Sequence, residues 1–176
     1  PLLKDVVLID SVRERKSNVP LLREILASCE PLPKERCVHT KNGQDIAVIL
    51  CTSGTTGGTK GVLLTHDNVR YSEDTFNREL GLTEEDIMFM PAPLHHATGF
   101  HHAIIAPMLH GAKVVLQQKY QCRSAIELMN REKVTYSMGA TPFIYDILRE
   151  LETNGGAVPT LKFYLCGGAP VPGDLV

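Results

Sequence analysis

Long apolar runs are missing from this sequence, and so is an excess of charge of either sign. The longest apolar stretches have only a handful of residues, whereas a helix needs about 20 to cross a bilayer, so we expect no transmembrane segment. Lysine and arginine number 18 and aspartate and glutamate 20, which gives a formal net charge of −2. That near balance argues against a protein that binds nucleic acid or anionic membranes through bulk charge.

Paired cysteines are lacking too. Five cysteines stand at positions 29, 37, 51, 122 and 166, and no two of them have Cys-x-x-Cys spacing. This pattern fits neither a disulfide framework nor a zinc ribbon. Reduced thiols in a cytoplasmic protein are the interpretation that we prefer.

The sequence does have the material for a hydrophobic core. Of its 176 residues, 43% are hydrophobic and 22% charged, values typical of a globular domain and not of a disordered chain. The length corresponds to about one domain.

Short apolar runs alternate with amphipathic runs along the chain. The predicted strands are Val6–Ile9, Ile46–Cys51, Gly61–Leu64, Ile87–Met90, Lys113–Leu116, Val134–Met138 and Leu161–Cys166. Because most of these runs are almost entirely apolar, they are typical of parallel strands covered on both faces.

Helices are predicted between the strands. One runs to Leu80 with Thr65 as its cap, Gly81 as its stop, and Val69, Phe76 and Leu80 as its buried stripe. The others are Ala97–His110, Ser124–Glu132 and a helix capped by Thr141 with Pro142 at its first position. The order predicts an α/β fold, a parallel sheet with helices on both faces, beside a hairpin formed by Ile46–Leu64.

The loop inside that hairpin is the strongest functional signal. Between Thr52 and Gly61, small hydroxyl and glycine residues lead to one cation, Lys60. Glycines allow successive N–H groups to turn toward an anion, and a lysine adds positive charge, so the loop suits a polyphosphate. The alternative is a flexible surface connection, which is rarely bounded so tightly by two apolar strands. The loop is not a Walker P-loop, and Gly-x-Gly-x-x-Gly does not occur.

The segment Cys51–Val62 resembles the signature loop of the acyl-adenylate-forming enzymes: acyl-CoA synthetases, peptide-synthetase adenylation domains and beetle luciferases. The family pattern is Thr-Ser-Gly-Thr-Thr-Gly, any residue, Pro, Lys, Gly-Val, and this sequence has Thr59 in place of the proline. Proline would stabilise the loop by about 0.4–1 kcal/mol where it fits, so the departure concerns loop rigidity more than phosphate binding.

Three further segments carry the resemblance in the family's order: Pro93–Gly99 (Pro-Leu-x-His-x-x-Gly), Gly111–Val115 (Gly-Ala-x-Val-Val) and Gly167–Pro170 (Gly-Gly-Ala-Pro). Within the family, the residues of Met90–Phe100 are most similar to those of synthetases of short- to medium-chain fatty acids.

The resemblance implies a role for each matching residue. The β- and γ-phosphates of ATP would be held by Thr52, Ser53, Gly54, Thr55, Thr56, Gly57, Gly58 and Lys60. Lys60 would also stabilise the leaving pyrophosphate, Thr52 would contact Mg²⁺, and His96 would orient the substrate carboxylate. The adenine would lie against Gly168, Ala169 and Pro170.

Other residues leave alternatives open. The acyl tunnel would be bordered by Thr141, Pro142 and Tyr145, although core packing explains these residues equally well. A metal site at the histidines of positions 95, 96, 101 and 102 is disfavoured, since ligand spacing with a carboxylate or cysteine partner is missing.

The implied function is that of an ATP- and Mg²⁺-dependent ligase that activates a carboxylic acid, a fatty acid by preference, and transfers it to coenzyme A. The family's Mg²⁺ glutamate, ribose site and C-terminal lid lysine are not found in these residues. We therefore interpret residues 1–176 as one partial large domain without its lid, expected to be inactive by itself. The alternatives are an adenylation domain that loads a carrier protein and a noncatalytic nucleotide-binding module.

Overall fold

The computed structural model describes residues 21–31, 33, 42–52, 58 and 60–173. The chain divides into two units, Pro1–Lys41 and Asn42–Val176. The described part of the first unit contains helix α1, Leu22–Ser28. The predicted strand Val6–Ile9 lies outside the described residues.

The second unit opens with the predicted hairpin. Strands β1 (Ile46–Thr52) and β2 (Lys60–Thr65) pair antiparallel, with Ile46 opposite Thr65 at one end and Thr52 opposite Lys60 at the other. Both strands are one residue or more longer than predicted, and the predicted hairpin is confirmed.

Helix α2, His66–Glu79, begins at the predicted cap. The Thr65 hydroxyl accepts a hydrogen bond from the Asn68 amide at 3.2 Å, and the Asn68 side chain accepts one from the Thr65 amide at 3.1 Å. The chain leaves the helix at Gly81, whose φ of +62° favours glycine.

The predicted buried stripe of α2 is only partly right. Val69 is buried, but Phe76 and Leu80 are only half-buried, and the fully covered positions next to them are polar, Glu73 and Asn77. The predicted stripe did not include these two residues, because a polar side chain is usually exposed.

Four strands of the described chain form a parallel sheet. They are β3 (Ile87–Met90), β4 (Lys113–Leu116), β5 (Tyr136–Gly139) and β6 (Phe163–Cys166), in the order β4-β3-β5-β6. The first two match their predicted bounds. Strands β5 and β6 both begin two residues later than predicted; before β5, the Val134 amide closes the preceding helix by donating to the Met129 carbonyl.

Helices follow the strands. They are α3 (Ala97–Phe100), a π-helical segment (His101–Ile105), α4 (Ala106–His110), α5 (Cys122–Glu132) and α6 (Thr141–Asn154). The prediction Ala97–His110 has the right bounds, and Gly111 (φ +78°) ends it as expected, but the π turn inside it was not predicted.

Two helix starts differ from the sequence prediction. Helix α5 begins at Cys122 instead of Ser124. The prediction that Thr141 caps α6 is wrong, because the cap position is Ala140 and Thr141 is the first helical residue. The Thr141 side chain is hydrogen-bonded elsewhere, as described below.

The sheet is covered on both faces, which confirms the predicted fold class. Phe89 packs on one face in a cluster with Ala125, Met129 and Ile147 of α5 and α6. Met88 and Met90 point to the other face, where they pack with Ala103 and Tyr136.

Asp86 links the amino ends of all four strands through its buried carboxylate and its backbone carbonyl. Asp86 immediately precedes β3, and its Oδ1 accepts hydrogen bonds from Thr135 Oγ1, before β5, and Lys162 Nζ, before β6, both at 2.8 Å. Its carbonyl accepts from the amide of Lys113, the first residue of β4, at 3.3 Å. These contacts fix the strands relative to one another at the amino edge of the sheet. The loops that follow the strands extend from the opposite, carboxyl edge.

None of the helices in the described ranges is long and apolar enough to cross a membrane.

Candidate functional site

The loops that carry the family-like motifs all begin at the same edge of the sheet. In a parallel sheet the carboxyl ends of all strands share one edge, and open α/β sheets bind their ligands there. Strand β3 runs into Pro91–His96, β5 runs into Thr141, and β6 runs into Gly167–Pro170.

His96 stands where the chain after β3 becomes helical. Its Nδ1 accepts a hydrogen bond from the Thr98 amide at 3.2 Å, so the imidazole is the cap of α3. A ring nitrogen that accepts carries no proton, so the neutral ring has its proton on Nε2. The ring is exposed and therefore has a single N–H donor, on Nε2, that is accessible from solvent.

A close backbone approach holds this loop against the helix. The His96 amide donates to the Pro93 carbonyl at 3.1 Å, and Gly99 is buried directly against that carbonyl. A Cβ on Gly99 would collide with the Pro93 carbonyl and the Leu94 backbone. Glycine is thus required at this position of the motif for steric reasons.

A cavity of about 560 Å³ opens beside the loop, between the ends of β3 and β4. Its lining consists of Met90–His95 and Leu116–Tyr120. The volume suits a small organic molecule. His95 belongs to the lining and His96 does not, so the two neighbouring histidines face different surroundings.

Tyr120, in the lining of the cavity, is held in place by Phe143 of α6. The Tyr120 hydroxyl donates to the Phe143 carbonyl at 3.4 Å, and the two rings meet edge to face with centroids 4.9 Å apart. Burial, together with nearby Cys122 and Asp146, raises the pKa of Tyr120 well above its usual range. The hydroxyl therefore remains a donor over the whole physiological pH range.

The Gly-Gly-Ala-Pro turn is tied to the first residue of α6. Thr141 Oγ1 donates to the Pro170 carbonyl at 3.0 Å and lies 3.4 Å from Cys166 Sγ. Gly168 has a φ of +81°, a conformation that favours glycine, and Ala169 and Pro170 are exposed. Thr141 thus has a clear structural task, whereas Pro142 and Tyr145 are exposed on α6.

The hairpin end brings the two ends of the predicted phosphate loop together. Thr52 and Lys60 are paired across the hairpin, both are exposed, and the Thr52 hydroxyl lies 3.5 Å from the Lys60 carbonyl. Gly58 is an exposed bend. The remaining predicted phosphate ligands, Ser53, Gly54, Thr55, Thr56 and Gly57, lie outside the described residues, as does Thr59.

Sequence reasoning missed a buried polar cluster behind this edge. The Glu73 carboxylate of α2 lies between the imidazoles of His101 and His102, with one nitrogen of each ring 3.0 Å away. The histidines were noticed in the sequence, but their partner is 28 positions earlier and no local spacing connects them.

A protein-built metal centre is not found in the described ranges, where no group of three or more His, Cys, Asp or Glu side chains is arranged to hold a metal ion.

The comparisons with known proteins point in one direction. The model of the family described as "AMP-binding enzyme" matches residues 4–176. The medium-chain fatty-acid–CoA ligase of Escherichia coli (strain K12) is 40% identical over 98% of this chain and 30% of that protein. A feruloyl-CoA synthase from Amycolatopsis sp is 30% identical over 74% of this chain and 27% of that protein.

Solved structures agree on the fold. The N-terminal domain of FACL13 from Mycobacterium tuberculosis, in an inhibitor-bound crystal structure, superposes with a TM-score of 0.77 at 24% identity over 88% of this chain and 38% of that one. The O-succinylbenzoate coenzyme A synthetase MenE from Bacillus subtilis, in complex with AMP, gives a TM-score of 0.68 at 30% identity over 76% of this chain and 27% of that one. The chain thus spans about 30% of the length of the curated relatives named above.

Proposed function

The chain belongs to the AMP-binding enzyme family, and from this premise we propose that the protein containing it is an ATP-dependent acyl-CoA ligase acting on a medium-chain fatty acid. In the first step a carboxylate oxygen attacks the α-phosphorus of ATP, forming an acyl-adenylate and releasing pyrophosphate. In the second step the thiol of coenzyme A attacks the acyl carbon, the C–O bond to phosphate breaks, and AMP leaves.

The observation that carries this proposal is the position of His96. It is the one histidine of the family-like motif, it lies at the carboxyl edge of the sheet, and its Nδ1 is occupied by the Thr98 amide. The remaining N–H can therefore donate to a carboxylate oxygen, which would hold the acid for attack.

The hairpin end supplies the proposed contacts to the nucleotide. Lys60 places a compact positive charge at the loop, where negative charge builds up on the departing pyrophosphate. The phosphates would be held by the loop residues Thr52, Ser53, Gly54, Thr55, Thr56, Gly57 and Gly58. Adenine would lie against Gly168, Ala169 and Pro170, in the turn that Thr141 ties to α6.

Magnesium would enter with the phosphates of ATP. Mg²⁺ prefers oxygen ligands and is commonly held by one or two carboxylates together with substrate phosphates. The described residues offer the exposed Thr52 hydroxyl but no acidic cluster at ligand spacing. Thr52 therefore fits as a single hydroxyl contact to a nucleotide-bound ion, and not as part of a protein cage.

The identity of the acid is the finer part of the proposal. Identity with the Escherichia coli ligase is 40% and with the feruloyl-CoA synthase 30%, which favours a fatty acid over an aromatic acid. The cavity between β3 and β4, with Met90, Leu94 and Leu116 in its lining, agrees with an apolar group near His95.

The test is carboxylate-dependent exchange of pyrophosphate into ATP by the complete natural polypeptide that carries this sequence. The panel contains acetate, octanoate, palmitate, ferulate and phenylalanine. We expect octanoate to give the largest rate and octanoyl-CoA to form when coenzyme A is added. Dependence on phenylalanine alone would indicate an adenylation domain that loads a carrier protein. ATP binding without any exchange would indicate a noncatalytic module.

A further inference from the structure

Glu73 is the most deeply buried charged side chain among the described residues that lie behind the site. It is on α2, and none of its side chain is exposed. His101 Nδ1 lies 3.0 Å from Oε1, His102 Nδ1 lies 3.0 Å from Oε2, and the Ser72 hydroxyl lies 3.1 Å from Oε1. A carboxylate buried without such partners would be strongly destabilising.

The carboxylate is charged in this surrounding. Burial acts to raise the pKa of Glu73, but the contacts from His102, Ser72 and His101 outweigh burial and leave the pKa below its usual value. The two imidazoles differ in their contacts. His101 Nδ1 and Oε1 have the geometry of a hydrogen bond, whereas His102 Nδ1 and Oε2 are equally close but lack that alignment.

The two histidines are the first residues of the π-helical segment. The His102 ring packs against Phe76 of α2 with centroids 4.4 Å apart, so α2 contacts it through an aromatic ring as well as through Glu73. One turn further along, Asn77 Nδ2 of α2 donates to the Ala106 carbonyl at 2.9 Å. Helix α2 therefore contacts both ends of the π-helical segment through polar side chains. Such wide turns are uncommon and are frequent at functional sites.

The π-helical segment continues without a break from the helix that His96 caps. His96 Nδ1 accepts a hydrogen bond from the Thr98 amide, and Gly99 packs on the Pro93 carbonyl. These contacts fix the first turn of the helix against the preceding loop. Helix α2, which carries Glu73, follows directly after β2, and β2 begins at Lys60. The Glu73 cluster thus lies between the segment that carries Lys60 and the segment that carries His96.

We propose that Glu73 is a positioning residue for the ligase reaction: through His101 and His102 it fixes the π-helical segment and thereby sets the place of His96 and of the Pro93–His95 wall of the cavity. The inference rests on the proposed function, because the step that it assists is the binding of the carboxylic acid. Glu73 does not touch the reacting atoms.

The test compares Glu73→Gln with Asp74→Asn in the complete natural polypeptide. The first change keeps the size of the side chain and removes its charge. The second removes the same charge from the next residue of α2, whose side chain is 48% exposed. We expect Glu73→Gln to lower kcat/KM for the acid about tenfold while KM for ATP changes less than about twofold, and Asp74→Asn to alter neither.

A second measurement does not depend on activity. Backbone amide and His96 ring resonances are recorded by NMR, and we expect those of Leu94–Gly99 to shift in Glu73→Gln and not in Asp74→Asn. A fall in melting temperature with unchanged resonances and unchanged kinetic constants would overturn the proposal. If the wild-type protein activates no acid, the proposed function fails while the resonances still decide whether Glu73 positions the loop.

A second variant covers the case in which Glu73→Gln does not fold. His101→Gln keeps a hydrogen-bond donor for Oε1 but cannot carry a positive charge. The His101 side chain is 15% exposed, and glutamine is smaller than histidine, so the replacement introduces no clash and the fold is expected to survive. The same resonances should shift, and unchanged resonances in this variant would equally overturn the proposal.

Discussion

Thr52 and Lys60 are Cα partners at the loop end of the β1–β2 hairpin. Residues 53–59 therefore start and finish at neighbouring positions, about 5 Å apart, as adjacent strands are. Both residues are exposed, so they can be replaced with little effect on packing and are good targets for mutation.

Replacing Lys60 with alanine should weaken the use of ATP without unfolding the protein. The side chain is exposed, so it contributes little to packing. The loss of one charge-assisted contact costs about 1.5–3 kcal/mol, which corresponds to a rise in the KM for ATP of roughly 10- to 150-fold. Steady-state kinetics and a circular dichroism melt check both parts.

The control for that change is Lys113→Ala. Like Lys60, Lys113 is exposed, and its side chain pairs with Glu132 at 2.6 Å. It lies at the opposite, amino edge of the sheet. An ATP response that is equal in wild type and Lys60→Ala would show that the hairpin loop is a connection only.

His96 should be tested with two substitutions, because it caps α3 and is also the proposed donor to the substrate carboxylate. His96→Ala removes the cap as well and should cost about 0.5–2 kcal/mol of stability. His96→Asn keeps a capping oxygen, so its melting temperature should stay near that of wild type. Both changes should slow adenylation, while the coenzyme A step from preformed acyl-adenylate should suffer less.

The neighbouring His95 provides the control for His96. It lines the cavity and caps nothing, so His95→Ala should leave α3 intact and affect the fit of the acyl group more than the rate of adenylation with a short acid. Equal losses from His95→Ala and His96→Asn would remove His96 from its proposed role.

Thr141→Val should loosen the turn at Gly168. The change keeps the shape of the side chain but removes its hydrogen bond to the Pro170 carbonyl, worth about 0.5–1.5 kcal/mol. We expect weaker AMP binding in calorimetry, and Thr141→Ser, which retains the hydroxyl, should restore it. AMP binding that is unaffected by Thr141→Val would separate this turn from the nucleotide.

Asp86 should make the fold sensitive to acid. Burial acts to raise its pKa, but hydrogen bonds from Lys162, Thr83 and Thr135 outweigh burial and lower the pKa from 3.8 to about 2. A shift of this size corresponds to about 2 kcal/mol of stability, fully present above about pH 4 and lost as the pH falls toward 2.

Urea unfolding at pH 7 and at pH 3 measures this contribution. Asp86→Asn should be less stable than wild type at pH 7, and the difference should narrow at pH 3. Asp74→Asn, a change at an exposed carboxylate, should show no such pH dependence. A constant difference between wild type and Asp86→Asn would show that shape, and not charge, holds the strand ends.

Local patterns predicted the parts of the fold that depend on local chemistry. The strands Ile87–Met90 and Lys113–Leu116 have their predicted bounds because each is a short apolar run between clear breaks. The cap at Thr65 and the stops at Gly81 and Gly111 were also predicted, because capping hydroxyls and left-handed glycines act within one turn.

The features that sequence analysis predicted wrongly or did not find depend on partners distant in the sequence. Thr141 has the chemistry of a cap, but its hydroxyl is held by Pro170, 29 positions later. Glu73 is polar and would be expected in solvent, but His101 and His102 make its burial possible. The π turn from His101 to Ile105 has no recognised sequence signature, and its contacts with Glu73 and Asn77 of α2 connect it to residues far away in the sequence. The roles of the motif residues remain predictions.

The anchoring of the strands at Asp86 has a consequence for how such a protein can evolve. Strand alignment is set at the end of the sheet that is remote from the candidate site. A loop at the other end can therefore be lengthened, shortened or exchanged without re-registering the strands, so selection can act on one loop at a time. Acids as different as those in the names of the fatty-acid and feruloyl relatives would then require changes only in the loops at the carboxyl edge, with the Asp86 contacts at the amino edge kept.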